Sequence, residues 1–339
     1  MNTSRRNATR KKRIHMTVLI STIIAVTILG GGYYLWQETR STSMKSSGGR
    51  VRAAADNDEI IEYQGNSYNY NDHLSNYLFM GIDTREDVDT YQSQEDAGQA
   101  DSLFLVSMDR VTEKLKVLFI PRDTITEIEV FNPSGKSLGK TKDHINIQYA
   151  YGDGRQKSCE LEKTAVSGLL DDLPIQGYCS VNMDAIPVLT DYVGGVEITV
   201  PDDSLEDVNP DFKQGAQITI TGENAEQFVR YRDINKSQSA LARQKRQKTY
   251  LQALMQKAQQ KASSDSGFVV GLYDSIKSYT VTSMGNDIFA KLLAASANDT
   301  VETETVPGEG TQGKNFDEYH VDQEKLHEMI LSMFYERQG

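Results

Sequence analysis

Apolar positions in this chain gather first in short unbroken runs and later at helical spacing. Residues 76–82 (NYLFMGI), 102–108 (SLFLVSM) and 115–120 (LKVLFI) are runs of strand length, the pattern of buried strands. The polar stretch 109–114 between the second and third is of hairpin length. Downstream, residues 161–173 and 183–192 predict helices, the second stopped by Gly194 and Gly195, and 196–200 predicts a further strand. A long helix is expected over residues 238–261, two more over 268–279 and 287–297, and a closing helix over 323–336. Strands interleaved with helices predict an α/β fold, a layered sandwich with a central mixed β-sheet flanked by helices. No repeat and no linker-like stretch interrupts residues 73–339, which read as one domain.

The start of the chain follows a different pattern. Residues 16–36 (MTVLISTIIAVTILGGGYYLW) carry no charge, and that length suffices to cross a hydrocarbon core as a helix. The basic tail 1–15 before it is expected to stay cytoplasmic, with Tyr33, Tyr34 and Trp36 at the far interface. A cleaved signal peptide is the competing reading. The small-residue triplet Ala53-Ala54-Ala55 lies well beyond the apolar run, however, and the run is longer than a signal core. An uncleaved single-pass transmembrane anchor is therefore expected, with the rest of the chain extracytoplasmic. Residues 37–72, rich in Ser, Gly, Asn and Asp, read as a flexible tether.

Charge narrows the function. The chain carries a formal net charge of −12, and of its 36 basic residues six lie in the 1–15 tail, leaving 30 against 48 acidic residues elsewhere. So acidic a body repels phosphate backbones, and no nucleic-acid partner is expected. An anionic ligand must be held by a local cluster of arginines or by a metal. Cys159 and Cys179 are the only cysteines, and for two cysteines in an oxidising compartment a disulfide and two free thiols stay equally open. With no CxxC and five scattered histidines, no zinc site is expected. Gly308, Gly310 and Gly313 match GxGxxG, but in a polar stretch with no helix after it, which reads as a loop. There is no Walker loop. Outside the membrane, where ATP is lacking, synthetic chemistry needs a substrate that is already activated.

Candidate chemistry lies at strand ends. Asp83 and Arg85 follow the first run, Asp101 opens the second, and Arg122 and Asp123 close the third. If the second and third runs form a hairpin, Asp101 and Arg122 become neighbours. If the first runs parallel to the third, Asp83 and Arg85 reach the same edge, where ligands of open α/β sheets bind. Taken singly, each is also an ordinary turn residue. Arg230 and Arg232 stand two apart in VRYRD, on one side of an extended segment, where two guanidiniums suit a multi-oxygen anion such as pyrophosphate. The long helix has an apolar stripe of Tyr250, Leu251, Leu254, Met255 and Ala258; continued backwards by whole turns, that face meets Gln247 and Arg243.

The segments NYLFMGIDTR, ADSLFLVSMD, KVLFIPRDT, HINIQYAYGDG, VGGVEITV, TGENAEQFVRYRD and RQKRQ occur in the order and register of LytR-CpsA-Psr proteins. The chain resembles that family over residues 73–260, and more loosely to 339. The basic tail, single span and tether match as well. The resemblance implies a phosphotransferase of cell-wall biogenesis. Its substrate is an anionic glycopolymer (teichoic acid or capsule polysaccharide) on a polyprenyl-pyrophosphate lipid, and its acceptor is peptidoglycan, joined through a phosphodiester. It implies Mg2+ or Mn2+ on Asp83 and Asp101. Arg85, Arg122, Arg230, Arg232 and Arg243 hold the pyrophosphate with Gln247 in support, and the polyprenyl tail lies in an apolar pocket. Asp83 and Arg122 are the catalytic candidates. Asp83 takes the proton of the attacking hydroxyl and Arg122 neutralises phosphate charge.

Two departures stand out: Gln99 occupies a position where the family commonly has arginine, and the loop 86–97 is long and acidic. Both lower positive charge at the site. A rival of another class is a non-catalytic extracytoplasmic module that binds polyprenyl pyrophosphate or regulates. Direct DNA binding is not expected, since the 1–15 tail is too short for a helix-turn-helix. A hydrolase would share every site residue.

Overall fold

The computed structural model describes residues 60–338 apart from 86, 91–96, 133, 232–238, 266, 297–301 and 314–315. The tail 1–15, the apolar span 16–36 and residues 37–59 of the tether therefore lie outside the described residues. Among the described residues no helix is long and apolar enough to cross a membrane.

The chain falls into two compact units. Among the described residues, a helical unit takes 183–279 and 285–296, and a sheet unit takes 60–182, 280–284 and 302–338. The division follows from the path of the chain, which leaves the central sheet after Asn182 and returns to it only in short segments.

The sheet unit is built on six strands in the order β11-β8-β3-β4-β5-β12. These are β3 Leu74–Ile82, β4 Ala100–Asp109, β5 Leu115–Ile120, β8 Gly177–Asn182, β11 Thr280–Thr282 and β12 Glu302–Thr305. β3 runs antiparallel to β4 and β4 to β5, whereas β8 joins β3 and β12 joins β5 in parallel, so the sheet is mixed as expected. The three apolar runs are its centre, because only inner strands need unbroken burial on both faces. On one face Leu78, Met80, Leu105, Leu118 and Tyr178 pack in a cluster with Val166 and Leu169 of helix α1 (Gln156–Leu169) and with Leu326, Ile330 and Phe334 of helix α7 (Gln323–Phe334). On the other, Phe79 and Phe104 stack with ring centroids 5.3 Å apart.

This alternation settles the cysteines, which are both free and buried. Cys179 pairs in register with Phe79, on the aromatic face. Cys159 on α1 meets Ser180, the next residue of β8, whose side chain points to the opposite face. The sheet separates the two thiols.

Several boundaries differ from expectation. α1 starts at Gln156, before residue 161, and stops at Leu169 because Asp171 and Asp172 take left-handed φ of 56° and 57°. The supposed tether contains two strands, β1 Ile61–Tyr63 and β2 Asn66–Tyr70, and the closing helix ends at Phe334 because β15 Tyr335–Arg337 pairs with β2. The glycine-rich stretch is not a loop: β13 Gly308–Gln312 pairs with β14 Asp317–Val321, and a Cβ at Gly308 would lie 2.4 Å from the His320 carbonyl oxygen. A second hairpin, β6 Ile125–Phe131 with β7 Ser137–His144, was not expected.

In the helical unit, α2 Ala185–Tyr192, the hairpin of β9 Val196–Thr199 and β10 Gln217–Ile220, and α3 Gly222–Arg230 precede the long α4 Ser239–Ser264. α5 Phe268–Ile276 and α6 Asn286–Ser296 complete it. Phe212 and Phe228, rings 5.4 Å apart edge-on, are fully buried here.

One buried acid is paired with no side chain. Glu162 on α1 is wholly buried, and no side-chain donor among the described residues bonds either carboxyl oxygen. Burial pushes its carboxyl well above the usual glutamate range, offset only in part by the Tyr149 N–H. The folded state thus binds a proton that the unfolded chain releases above a pH of about 4.3. Stability contributed here is fully present below that pH and is lost as pH rises toward the raised native value. Glu162→Gln is expected to abolish this decline and to gain roughly 1–3 kcal/mol at neutral pH, read from urea unfolding across a pH series.

Candidate functional site

Three strand ends meet at one edge of the central sheet. β3 and β5 both run antiparallel to β4, so their carboxyl ends flank its beginning. Asp83 directly follows β3, Asp101 lies at the start of β4, and Arg122 stands just past β5. The hairpin and the parallel course of β3 and β5, on which the sequence reading depended, are both present. A register shift between Gly81 and Ile82 displaces the end of β3 relative to β4.

Arg122 is the charge centre of this edge. Its Nη1 donates to Asp101 Oδ1, and its Nε donates to Asp123 Oδ1 at 3.1 Å. Burial works against the guanidinium charge, but the carboxylates of Asp101, Asp123 and Asp83 outweigh it and hold the Arg122 pKa above the ordinary arginine value. Arg85, two residues beyond Asp83, is exposed. Much of the acidic loop 86–97 lies outside the described residues.

Gln99 fixes the two aspartates relative to each other. Its carbonyl accepts the N–H of Asp83 and the N–H of Asp101, each at 3.1 Å. Its own N–H donates to Asp83 Oδ1 at 2.6 Å. Gly98 makes this approach possible: its φ is +70°, and a Cβ there would sit 2.8 Å from Asp83 Oδ1. The Gln99 side chain does not stand free in place of an arginine, since its Oε1 accepts from Asn146 Nδ2 at 3.0 Å. Among the described residues, no group of three or more His, Cys, Asp or Glu is arranged to hold a metal.

A clasp lies beside this edge. The Tyr319 N–H of β14 donates to the Asp123 carbonyl at 2.8 Å. His144, at the end of β7, places Nδ1 2.9 Å from Asp143 Oδ1 and Nε2 2.9 Å from the Asp317 carbonyl. Both partners only accept, so filling both bonds requires both ring nitrogens to carry protons. Burial opposes that charge, but Asp143, the Asp317 carbonyl and Asp123 outweigh it and raise the His144 pKa.

The other expected arginines belong to the helical unit. Arg230 closes α3 and pairs with Glu226 one turn back. Arg243 lies on α4. Arg232 and the side chain of Gln247 lie outside the described residues. The residue that continues the buried stripe of α4 is Arg246, one turn before Tyr250, Leu254 and Ala258. Only 1% exposed, it donates from Nε to the Phe228 carbonyl at 2.8 Å, from Nη2 to the Tyr231 carbonyl and from Nη1 to Ser204 Oγ, with Asp202 Oδ1 at 3.6 Å. Arg246 thereby fastens the end of α3, where Arg230 sits, to α4, where Arg243 sits.

The sequence reading missed Asn146 and Arg246 as structural members of these sites. A signal existed for the first. Residues 144–148 (HINIQ) alternate polar and apolar, and both Asn146 and Gln148 are buried. For the second there was none beyond its place in RQKRQ.

Three carboxylates and an arginine thus converge at the carboxyl edge of a mixed α/β sheet, the edge at which ligands of open α/β sheets bind. The LytR_cpsA_psr family model matches residues 33–334, and the chain belongs to that family. Curated relatives include two proteins named polyisoprenyl-teichoic acid–peptidoglycan teichoic acid transferase TagU. The one from Halalkalibacterium halodurans is 28% identical over 322 residues, 93% of this chain and 95% of that protein. The one from Bacillus cereus (strain AH820) is 31% identical over 248 residues, 73% of this chain and 72% of that protein. Among solved structures, B. subtilis TagV aligns with a TM-score of 0.54 at 23% identity, covering 77% of this chain and 97% of that one. Protein gbs0355 from Streptococcus agalactiae aligns with a TM-score of 0.57 at 20% identity, covering 76% and 87%. These two share the fold.

Two outcomes are expected. Arg246→Met strands the Phe228 and Tyr231 carbonyls and the Asp202 carboxylate, and is expected to lower unfolding free energy by about 3–5 kcal/mol, measured by chemical denaturation. Arg246→Lys keeps the charge but loses the fork, so it recovers only part of that loss. For His144, the raised pKa means that its contribution is complete below the unfolded value of about 6.5 and is lost as pH climbs through the native value. Amide exchange across β14 is therefore expected to quicken above neutral pH in the wild type, and to be pH-flat, after correction for intrinsic exchange, in His144→Gln.

Proposed function

We propose that the protein is a phosphotransferase that moves an anionic glycopolymer from a polyprenyl-pyrophosphate lipid onto peptidoglycan through a phosphodiester. The observation that carries this reading is the Arg122 guanidinium held among Asp101, Asp123 and Asp83 at the sheet edge. The names of the TagU relatives, which specify a polyisoprenyl-linked teichoic acid and peptidoglycan, support the donor and acceptor classes. Residues 16–36 serve in this reading as the anchor that keeps the enzyme at the membrane where its lipid donor resides, with the body on the outer side.

In the reaction, a hydroxyl oxygen of a peptidoglycan sugar attacks the glycan-side phosphorus. The new P–O bond forms as the bond to the bridging oxygen breaks, and polyprenyl phosphate leaves. Asp83 takes the hydroxyl proton. Arg122, with Arg85, neutralises the phosphate oxygens, the main task in phosphoryl transfer. The anhydride supplies the driving force, so no nucleotide enters. Two carboxylates from neighbouring strand ends are hard oxygen donors of the kind Mg2+ or Mn2+ takes alongside water and phosphate oxygens, and Asp83 and Asp101 fit that role. Such an ion, when bound, adds positive charge against the phosphates. Arg230 and Arg243 carry the same anion chemistry in the helical unit.

The test is a label-transfer assay with the full-length protein in detergent, a lipid-pyrophosphate-linked glycan, a peptidoglycan oligosaccharide and magnesium. Label is expected on the acceptor, reduced roughly 100-fold or more by Arg122→Ala and lost on chelation. Lipid bound without label moved, across several glycan donors, would sink the transferase in favour of a binding module. Release of label to water despite acceptor would mark a hydrolase.

A further inference from the structure

Asn146 is 3% exposed and lies in a single 3-10 turn, Ile145–Ile147, immediately after β7. Its main chain and side chain hold different parts of the site. The Asn146 N–H donates to the Arg122 carbonyl at 3.3 Å, and the neighbouring Ile145 N–H donates to the Thr124 carbonyl at 2.8 Å. These bonds moor the turn to the segment that carries Arg122. The Asn146 side chain reaches the other way, donating from Nδ2 to Gln99 Oε1 at 3.0 Å. Gln99 in turn accepts the N–H groups of Asp83 and Asp101 and donates to the Asp83 carboxylate.

We infer that Asn146 is a positioning residue of the transfer reaction, holding Arg122 through its main chain and the Asp83–Asp101 pair through Gln99. Resting on the function proposed above, this assigns a role to a residue that touches neither phosphate nor acceptor. The physical need is clear from the connectivity. Asp83 and Asp101 are linked in sequence only by residues 84–100, and Arg122 follows after another strand. Strand pairing, the Gln99 main chain and the Arg122–Asp101 ion pair also set their relative positions, but the pairing is irregular where β3 ends and the ion pair is partly exposed. A buried donor that joins both segments removes that slack, and buried side-chain bonds of this kind fix one geometry because an unpaired alternative is costly. Glutamine at position 99 is part of the device, since only a side chain with an acceptor oxygen of that reach completes the link from Asn146.

The test is a double-mutant cycle of Asn146→Ala and Gln99→Ala in the full-length protein, read by transfer kinetics and by amide exchange at residue 99. Each single change is expected to lower kcat roughly five- to tenfold with KM for the lipid donor little changed, and the double change to be no worse than the worse single one. Exchange of the Gln99 amide, which reports its bond to Asp83, is expected to quicken in Asn146→Ala. Losses that multiply in the double variant, or a Gln99 amide unmoved by Asn146→Ala, overturn the inference. Should Asn146→Ala fold poorly, Gln99→Ala breaks the same bond from its less buried end, and an unchanged kcat there overturns it equally. If the wild type transfers no glycan at all, the proposed function falls, while the exchange arm still decides whether Asn146 holds Gln99.

Discussion

The site depends on the antiparallel register of β3, β4 and β5. Because β4 runs against both neighbours, its beginning lies between two strand endings, and chain segments on either side of it deliver their charges to one edge. Those charges would repel or solvate separately if the strands slipped, since a one-residue shift turns every side chain to the other face. Burial prevents the slip. Leu78, Met80, Leu105 and Leu118 pack into the cluster on one face, and Phe79 stacks on Phe104 on the other, so a slip would break fitted packing on both faces. The core of the sheet unit thus serves as the ruler by which Asp83, Asp101 and Arg122 are placed.

Buried polar groups extend that ruler beyond the strands. Gln99 and Asn146 act in the sheet unit, and Arg246 acts in the helical unit, on the same principle. Gln99 and Asn146 bond each other through their side chains and the charged segments through their main chains, whereas the Arg246 side chain itself grips main-chain carbonyls. A guanidinium suits the longer span because its fork reaches two carbonyls at once while keeping its charge near Asp202. Glu162 stands apart from them: no side-chain donor meets its oxygens, so burial favours the protonated carboxyl.

How much was legible in the sequence follows from these roles. The three central strands were legible because burial on both faces leaves an apolar run without interruption. The meeting of Asp101 with Arg122 followed from hairpin logic. β7 and β13 were not legible, since their exposed polar residues carry no apolar pattern and their glycines imitate loops, and without them the partners β6 and β14 were missed too. Nor were β1 and β2; β2, the middle strand, pairs with β15 from the far end of the described chain. Arg246 escaped notice for another reason. Its side-chain partners are largely main-chain carbonyls, and a carbonyl leaves no mark on residue type.

The pairing of β15 with β2 has a consequence for how the molecule is made. β2 is the middle strand of its small sheet, flanked by β1 and β15. During synthesis β2 emerges early, whereas β15 arrives only after both units have been translated. Until then one edge of β2 is open, with the unsatisfied N–H and C=O groups of a strand edge. The sheet unit also waits for β12 to complete its central sheet. Final closure is thus a late event, ordered by the direction of translation and slow because the contacts span the length of the chain. A nascent chain arrested before β15 would hold its central strands already paired and keep an exposed edge close to its beginning.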